Sequence, residues 1–243
     1  MMLKSTLFIA LFSLASTSAL PATVAIYADV RGNNPVGELL RRSGHTVKYV
    51  SSREIAGGQA NGYDVFLYTR NFGGNGTKLG SNEAAEIKAN YAKSTTLFFT
   101  DLTDSLVLDG TDGKVNAEQM FLNAVEEGAK SGGAFIGEFV GAAWAVENNL
   151  VAGINGGLDK GTGQQVTVVP TSPIMSGISK SFNSSQSDNF LYRTQNLNEK
   201  NVLARDSSGN VTVYSTYAAA PVPEPASLAM LGMGACALCR RKR

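Results

Sequence analysis

Residues 23–50 read TVAIYADVRGNNPVGELLRRSGHTVKYV, and this stretch sets the pattern that decides the fold. Its first five residues, Thr23–Tyr27, form a short apolar run that is typical of a buried strand. A helix is predicted to begin at Pro35 and to end at Gly44, because proline suits a first helical turn and glycine a helix end. A second strand follows at Thr46–Val50. The order strand, helix, strand indicates an α/β fold.

The same alternation continues along the chain. Three more apolar strands are predicted at Tyr63–Tyr68, Thr95–Thr100 and Ala134–Phe139. Two amphipathic helices are predicted between them, one capped by Ser81 and one opened by Asn116. Apolar strands that alternate with amphipathic helices predict a parallel, doubly wound sheet.

The last third of the chain follows a different pattern. Gln165–Val169 is predicted as a strand. Val202–Arg205 and Val211–Tyr214 flank the turn sequence Ser207–Asn210, which predicts a C-terminal β-hairpin. This part of the chain therefore departs from the strand–helix alternation.

The first 19 residues have the composition of a secretory signal peptide. Lys4 supplies a positive charge, Leu7–Leu14 is a short apolar core, and small residues follow. The apolar core is too short to span a bilayer comfortably. We expect cleavage after Ala19, with cleavage after Ala22 as the alternative.

The C-terminal end of the chain has the features of a second export signal. A Pro-rich linker at 218–225 contains Pro223, Glu224 and Pro225, and residues 226–243 form a hydrophobic segment with a basic end. Motif, apolar segment and cationic terminus in this order resemble the PEP-CTERM sorting signal of bacteria that contain exosortase. The resemblance implies transient membrane association, processing by exosortase, and delivery to the cell surface or extracellular matrix. A plain tail anchor is the alternative.

The charge of the chain is divided unevenly. Overall there are 21 Lys and Arg against 20 Asp and Glu, for a formal net charge of +1. The signal peptide and the tail hold five of these cations and one of these anions, which leaves a net charge of −3 on the domain at 20–217. The only strongly basic cluster lies in the tail, so the balance favours no nucleic-acid partner.

Several short motifs resemble the class I glutamine amidotransferase-like superfamily. They occur in the superfamily's order at 44–47 (GHTV), 62–65 (GYDV), 132–137 (GGAFIG) and 172–178 (SPIMSGI). The resemblance implies that residues 20–217 form a flavodoxin-like three-layer sandwich with a mostly parallel sheet. The predicted β-hairpin lies at the end of this domain, and a single C-terminal hydrophobic segment follows the domain in sequence.

The residues that carry amidotransferase chemistry are missing from the sequence. The resemblance places a nucleophilic cysteine in the turn that corresponds to Gly137–Gly141, and Phe139 stands at that position. A phenyl ring cannot act as a nucleophile or hold a proton. Both cysteines, Cys236 and Cys239, lie in the tail. The only histidine, His45, comes early in the chain at a predicted turn. We expect its side chain to be partly exposed there. The sequence therefore argues against cysteine or serine hydrolase activity.

Four polar residues follow or end predicted strands: Asp29, Arg70, Asp101 and Glu138. Open α/β sheets bind ligands at the carboxyl ends of their strands, so these four are the candidate ligand-binding residues. Of the four, Glu138 and Asp101 are the candidates for acid–base catalysis, because glycoside hydrolysis uses a pair of carboxyl groups. The alternative is that this end of the sheet is polar only because it faces water.

Asp109 and Asp112 belong to an Asp- and Gly-rich stretch, and they are calcium candidates because oxygen-rich loops bind calcium outside cells. The spacing does not match an EF-hand, which leaves a solvated loop as the favoured interpretation. No cofactor is predicted.

Two functions remain open. The first is an exported surface or matrix protein, a non-catalytic binding or structural module associated with exopolysaccharide. The second is an extracellular glycosidase-like hydrolase that uses carboxylates at the carboxyl ends of the strands. Exosortase and the secretion machinery are the expected partners in both cases, and a polysaccharide or matrix component is the expected ligand.

Overall fold

The described part of the chain alternates strands with helices in its first half. The computed structural model describes residues 20–28, 35–69, 79–100, 112–138, 142–150, 158–161, 165–169, 172–183, 189–192 and 198–217. Five helices in this part are α1 (Pro35–Arg42), α2 (Ser52–Ala56), α3 (Ser81–Glu86), α4 (Asp112–Ser131) and α5 (Ala143–Glu147). Helix α3 continues through a π-helical turn at Ile87–Tyr91 and a last helical turn at Ala92–Ser94.

The strands form one large sheet and one small one. They are β1 (Thr23–Ala28), β2 (Thr46–Tyr49), β3 (Val65–Thr69), β4 (Thr96–Thr100), β5 (Phe135–Glu138), β6 (Leu158–Gly161), β7 (Gln165–Val168), β8 (Ser181–Asn183), β9 (Asn189–Tyr192), β10 (Val202–Asp206) and β11 (Val211–Ser215). The large sheet has the order β2-β1-β3-β4-β5-β11-β10-β7-β8, and β6 pairs with β9 in the small sheet.

The first five strands of the large sheet are parallel. Their order, β2-β1-β3-β4-β5, is the order of flavodoxin-like doubly wound folds. These strands therefore all end at one end of the sheet, which we call the carboxyl end, and all begin at the other, which we call the amino end. The predicted α/β class and parallel arrangement are confirmed.

The predicted hairpin is also confirmed, and it joins the large sheet next to β5. Strands β10 and β11 pair antiparallel, and β11 pairs antiparallel with β5. Strands β7 and β8 extend the sheet in the same antiparallel manner. The C-terminal part of the described chain thus adds an antiparallel half to the parallel one, which is an extension that the hairpin pattern alone did not predict.

Helices cover both faces of the sheet. One apolar core lies between the sheet and helices α1 and α4, and it contains Val36, Leu40, Phe121 and Val125. The other lies against α2, α3 and α5, and it contains Ile55, Ile87 and Trp144. Because each face of the sheet is buried under helices, the strands are apolar on both sides, as expected for a parallel sheet. The result is the predicted three-layer arrangement.

The two export signals lie outside the described residues. They are the signal peptide at 1–19 and the sorting tail, which consists of the linker at 218–225 and the segment at 226–243. Of the helices that the structure describes, none is both long enough and apolar enough to span a bilayer.

Candidate functional site

Glu138 is the one predicted ligand-binding residue whose side chain the structure describes. It is the last residue of β5, at the carboxyl end of the sheet, and its side chain is 0% exposed. Its Oε2 accepts a hydrogen bond from Oγ1 of Thr100. A buried carboxyl group requires such donors, because removing it from water without them is costly.

Thr100 and Thr69 form a polar row with Glu138. Thr69 and Thr100 are register partners at the ends of β3 and β4, and Glu138 lies beside Thr100 on β5. Both threonines are buried. Neither threonine belongs to a motif that marks it in the sequence, although each closes an apolar strand.

This row points toward helices α1 and α4. The residues two positions earlier on the same strands, Leu67, Phe98 and Ile136, pack in the core beneath these helices. Side chains alternate along a strand, so residues two apart lie on one face of the sheet. Glu138 and the two threonines therefore lie at the border of that core, at the carboxyl end of the sheet.

A β-bulge lies next to Glu138. Val213 of β11 is the partner of Glu138, and the pairing of β11 with β10 shifts register between Val213 and Val211. The residue between them, Thr212, is 0% exposed, and its Oγ1 has no hydrogen-bond partner among the described residues. Bulges occur often beside functional sites, and a buried hydroxyl without a partner is unusual in a folded protein.

Aromatic rings fill the opposite face of the sheet at this end. Tyr68 stacks on Trp144 with ring centroids 5.7 Å apart, and Tyr27 stacks on Tyr68 at the same distance. Trp144 is 2% exposed, and its Nε1 donates a hydrogen bond of 2.8 Å to the carbonyl oxygen of Leu79. Trp144 therefore packs inside the domain, and a ring buried in this way cannot stack on a sugar in solvent.

The only histidine lies far from this row. His45 directly precedes β2 at the amino end of the sheet, and it is 5% exposed. Its Nδ1 accepts a hydrogen bond of 3.1 Å from the backbone N–H of Ala22. Burial lowers the pKa of His45 below its usual value of 6.5, and the charge of Glu126 opposes that shift. The expectation of a partly exposed histidine was wrong, because the chain before β1 covers it.

The position of His45 keeps it away from the candidate catalytic carboxyl group. Glu138 lies at the carboxyl end of the sheet and His45 at the amino end, so the sheet separates the two groups. The chain has no other histidine. A carboxylate–histidine pair cannot form at the carboxyl end.

The other predicted ligand-binding residues lie outside the described residues. Asp29, Arg70 and Asp101 directly follow Ala28, Thr69 and Thr100, which end three neighbouring strands. The sorting residues Pro223, Glu224 and Pro225 also lie outside.

The calcium candidates gain no support. Asp109 lies outside the described residues, and Asp112 is the first residue of α4. Within the part of the chain that the structure describes, no three acidic, histidine or cysteine side chains cluster as metal ligands would.

Comparisons with known proteins bear on the two parts of the chain separately. Residues 221–243 match the family model of the PEP-CTERM protein-sorting motif. This motif marks proteins that are exported and that exosortase processes at the cell surface, so the predicted localisation is confirmed. None of the curated proteins compared with the chain matches its sequence.

One solved structure that resembles the domain is a Thermoplasma acidophilum protein described as a subunit of GMP synthase. It is 12% identical, the match covers 79% of this chain and 78% of that chain, and the TM-score is 0.36. At this TM-score the likeness carries no argument, and the fold class rests on the strand order described above.

Proposed function

We propose that this exported protein is a non-catalytic binding module of the bacterial cell surface, and that it holds a matrix polysaccharide at the carboxyl end of its sheet. The observation that carries the proposal is the burial of Glu138, which accepts a hydrogen bond from Thr100 and directly precedes Phe139, the residue at the expected nucleophile position. We also propose that residues 20–217 belong to the amidotransferase-like superfamily, whose motifs the sequence resembles.

The burial of Glu138 disfavours catalysis. A general acid must reach the atom that it protonates within hydrogen-bonding distance. Glu138 is fully buried, and its Oε2 already accepts a bond from Thr100. We therefore assign Glu138 a role in holding β4 and β5 together beneath the binding surface.

Three polar residues are proposed to contact the ligand. Ala28, Thr69 and Thr100 end neighbouring parallel strands, which lie about 4.8 Å apart. Asp29, Arg70 and Asp101 come next in the chain. The ends of the three strands therefore span about 10 Å, the length of a sugar unit and its neighbour. Carboxylate and guanidinium groups suit sugar hydroxyls, because charged groups form the stronger hydrogen bonds.

The alternative function is an extracellular hydrolase that uses Asp101 and Glu138. Asp101 directly follows β4 and Glu138 ends the neighbouring β5, and glycosidases require two carboxyl groups about 5–10 Å apart. The alternative also needs Glu138 to face the substrate, and its burial counts against this. It remains the function to exclude by experiment.

A binding assay tests the proposal. The purified full chain is titrated with exopolysaccharide extracted from the producing strain, and the dissociation constant is measured. We expect Asp101→Asn and Arg70→Ala each to weaken binding roughly tenfold or more, because a hydrogen bond to a charged group contributes about 1.5–3 kcal/mol. Lys93→Ala changes an exposed cation at the amino end of the sheet and is the matched control.

The same preparations separate the two functions. Polysaccharide and synthetic glycosides are incubated with the wild type and with Glu138→Gln. Turnover that disappears in Glu138→Gln would establish the hydrolase and overturn the binding proposal. If both Asp101→Asn and Arg70→Ala bind the polysaccharide with unchanged affinity, the ligand does not bind at this end of the sheet.

A further inference from the structure

The chain enters the domain at the amino end of the sheet. Thr23 begins β1, and Leu20 precedes it with 85% of its surface exposed. Leu20 lines a cleft of about 250 Å³ together with Asp64, Glu126 and Lys130. Glu126 and Lys130 belong to the last turns of α4, which also ends at this end of the sheet.

The chain leaves the domain beside the same helix end. Strand β11 runs antiparallel to β5, so it finishes at the amino end, where the backbone N–H of Thr216 donates to the carbonyl oxygen of Phe135 at 2.8 Å. The hydroxyl of Tyr217 donates a hydrogen bond of 2.7 Å to Oε2 of Glu127. Lys130 donates to the other oxygen of Glu127 at 2.6 Å. Glu127 thus fastens the last described residue before the sorting tail to α4.

The connection from this anchor to the hydrophobic segment is short. Nine peptide units separate Tyr217 from the beginning of the segment at residue 226, and they span at most about 32 Å when fully extended. A folded domain of about 200 residues has a diameter of about 40 Å. The linker is therefore too short to pass around the domain and let its carboxyl end face the membrane.

We propose that the amino end of the sheet lies against the lipid surface while the sorting tail is inserted in the membrane. The Tyr217–Glu127 anchor and the short linker favour this orientation and exclude the opposite one. The carboxyl end, with Thr100 and Glu138, then faces away from the membrane toward the extracellular matrix. This orientation rests on the sorting tail and on the exit point of the chain, and it holds whether or not the carboxyl end binds polysaccharide.

Fluorescence quenching on vesicles tests the orientation. The full chain carries Cys236→Ala and Cys239→Ala together with one new cysteine for a fluorophore, either Ser94→Cys or Ser208→Cys. Both serines are exposed; Ser94 precedes β4 at the amino end, and Ser208 lies in the β10–β11 turn at the carboxyl end. The labelled proteins are bound to phosphatidylcholine and phosphatidylglycerol vesicles that carry a short-range quencher on the lipid headgroup.

We expect the label at position 94 to lose most of its fluorescence and the label at position 208 to keep it. An insertion of 20 Gly and Ser residues after Tyr217 is the matched control, and it should remove the difference between the two positions. Equal quenching at the two positions with the natural linker overturns the proposal, and so does stronger quenching at position 208. Failure of the chain to float with the vesicles overturns it as well, because the tail would then not be inserted.

Discussion

Thr100 Oγ1 donates a hydrogen bond to Glu138 Oε2 and so joins the carboxyl ends of β4 and β5 beneath the surface of the domain. Both side chains are completely buried. A carboxyl group in this position is held by the sheet and excluded from solvent. It is therefore part of the scaffold on which the neighbouring loop residues stand.

Replacement of Thr100 by valine should destabilise the domain. Valine keeps the shape of threonine but removes the hydroxyl that donates to Glu138, and an unsatisfied buried group costs about 1–3 kcal/mol. The free energy of unfolding is measured by urea denaturation. Thr167→Val, at an exposed position of β7, is the control and should change stability little. Equal effects of the two substitutions would contradict the structural role of the Thr100–Glu138 bond.

Replacement of Gly128 by alanine should also destabilise the domain. An added Cβ would lie 2.7 Å from Cγ2 of Thr96, where α4 packs closely on β4. Overpacking of this kind costs about 1–3 kcal/mol, which exceeds the gain in helix propensity of up to about 1 kcal/mol.

A second substitution identifies the cause of that loss. Thr96→Ser removes Cγ2 and keeps the hydroxyl, which donates a hydrogen bond of 2.6 Å to the carbonyl oxygen of Gly128. In the Gly128→Ala background it should restore part of the lost stability, as measured by a double-mutant cycle. A strictly additive result would show that the two residues are not in steric conflict.

The Tyr217 anchor predicts a loss of stability at alkaline pH. Burial, the hydrogen bond to Glu127 and the charge of Glu127 raise the pKa of Tyr217 from 10.0 to about 12. A raised pKa of an acid stabilises the fold below the unfolded pKa, and the contribution disappears as the pH rises from about 10 through about 12. The free energy of unfolding is measured from pH 8 to pH 12 for the wild type and for Tyr217→Phe.

The comparison with Tyr217→Phe isolates this one group. Tyr91 also has its pKa raised to about 12, by burial and by the charge of Glu86, and it titrates in both proteins. The stability advantage of the wild type should therefore shrink above pH 10. An advantage that stays constant up to pH 12 would show that Tyr217 does not titrate with a raised pKa.

The lowered pKa of His45 predicts that the domain loses stability at acidic pH. Its pKa is lowered by burial, so the unfolded chain binds a proton more readily than the folded one. Its contribution is present above the unfolded pKa of about 6.5, and it is lost as the pH falls below that value toward the folded pKa. Because the chain has a single histidine, its NMR titration can be assigned without ambiguity.

His45→Asn is the matched control for this prediction. The Asn Oδ1 can accept the bond that Nδ1 of His45 accepts from Ala22, and asparagine does not titrate. Between pH 7 and pH 5 the wild type should lose more stability than the variant. An imidazole that titrates at or above pH 6.5 in the folded protein would overturn this account.

Local patterns were enough to predict most of the parallel half. The apolar runs at Thr23–Tyr27 and Thr95–Thr100 became β1 and β4, and Gly132 and Gly133 end α4 with φ of +56° and +71°. Left-handed conformations of this kind favour glycine, so the end of the helix can be predicted locally. The predicted start of α4 was wrong by four residues. Asn116 lies inside the helix, where its Oδ1 accepts a hydrogen bond from the backbone N–H of Ser179.

The candidate site could be predicted only in part. Glu138 was correctly placed at the end of its strand, but its burial depends on Thr100 and on β11, which is more than 70 residues away in the chain. The same reason explains His45, which is covered by the chain at Ala22. Polar side chains at strand ends look alike in sequence whether solvent or another element covers them.

The strand–helix alternation, the two export signals and the absence of a cysteine or a second histidine from the domain all follow from the sequence alone, because each depends on residue type and near spacing. Three other features required the folded structure: β11 joins β5, Glu138 is buried, and Leu20 and Tyr217 lie at the same end of the sheet. These features depend on contacts between residues far apart in the chain. Such contacts form only where the folded sheet brings the residues together.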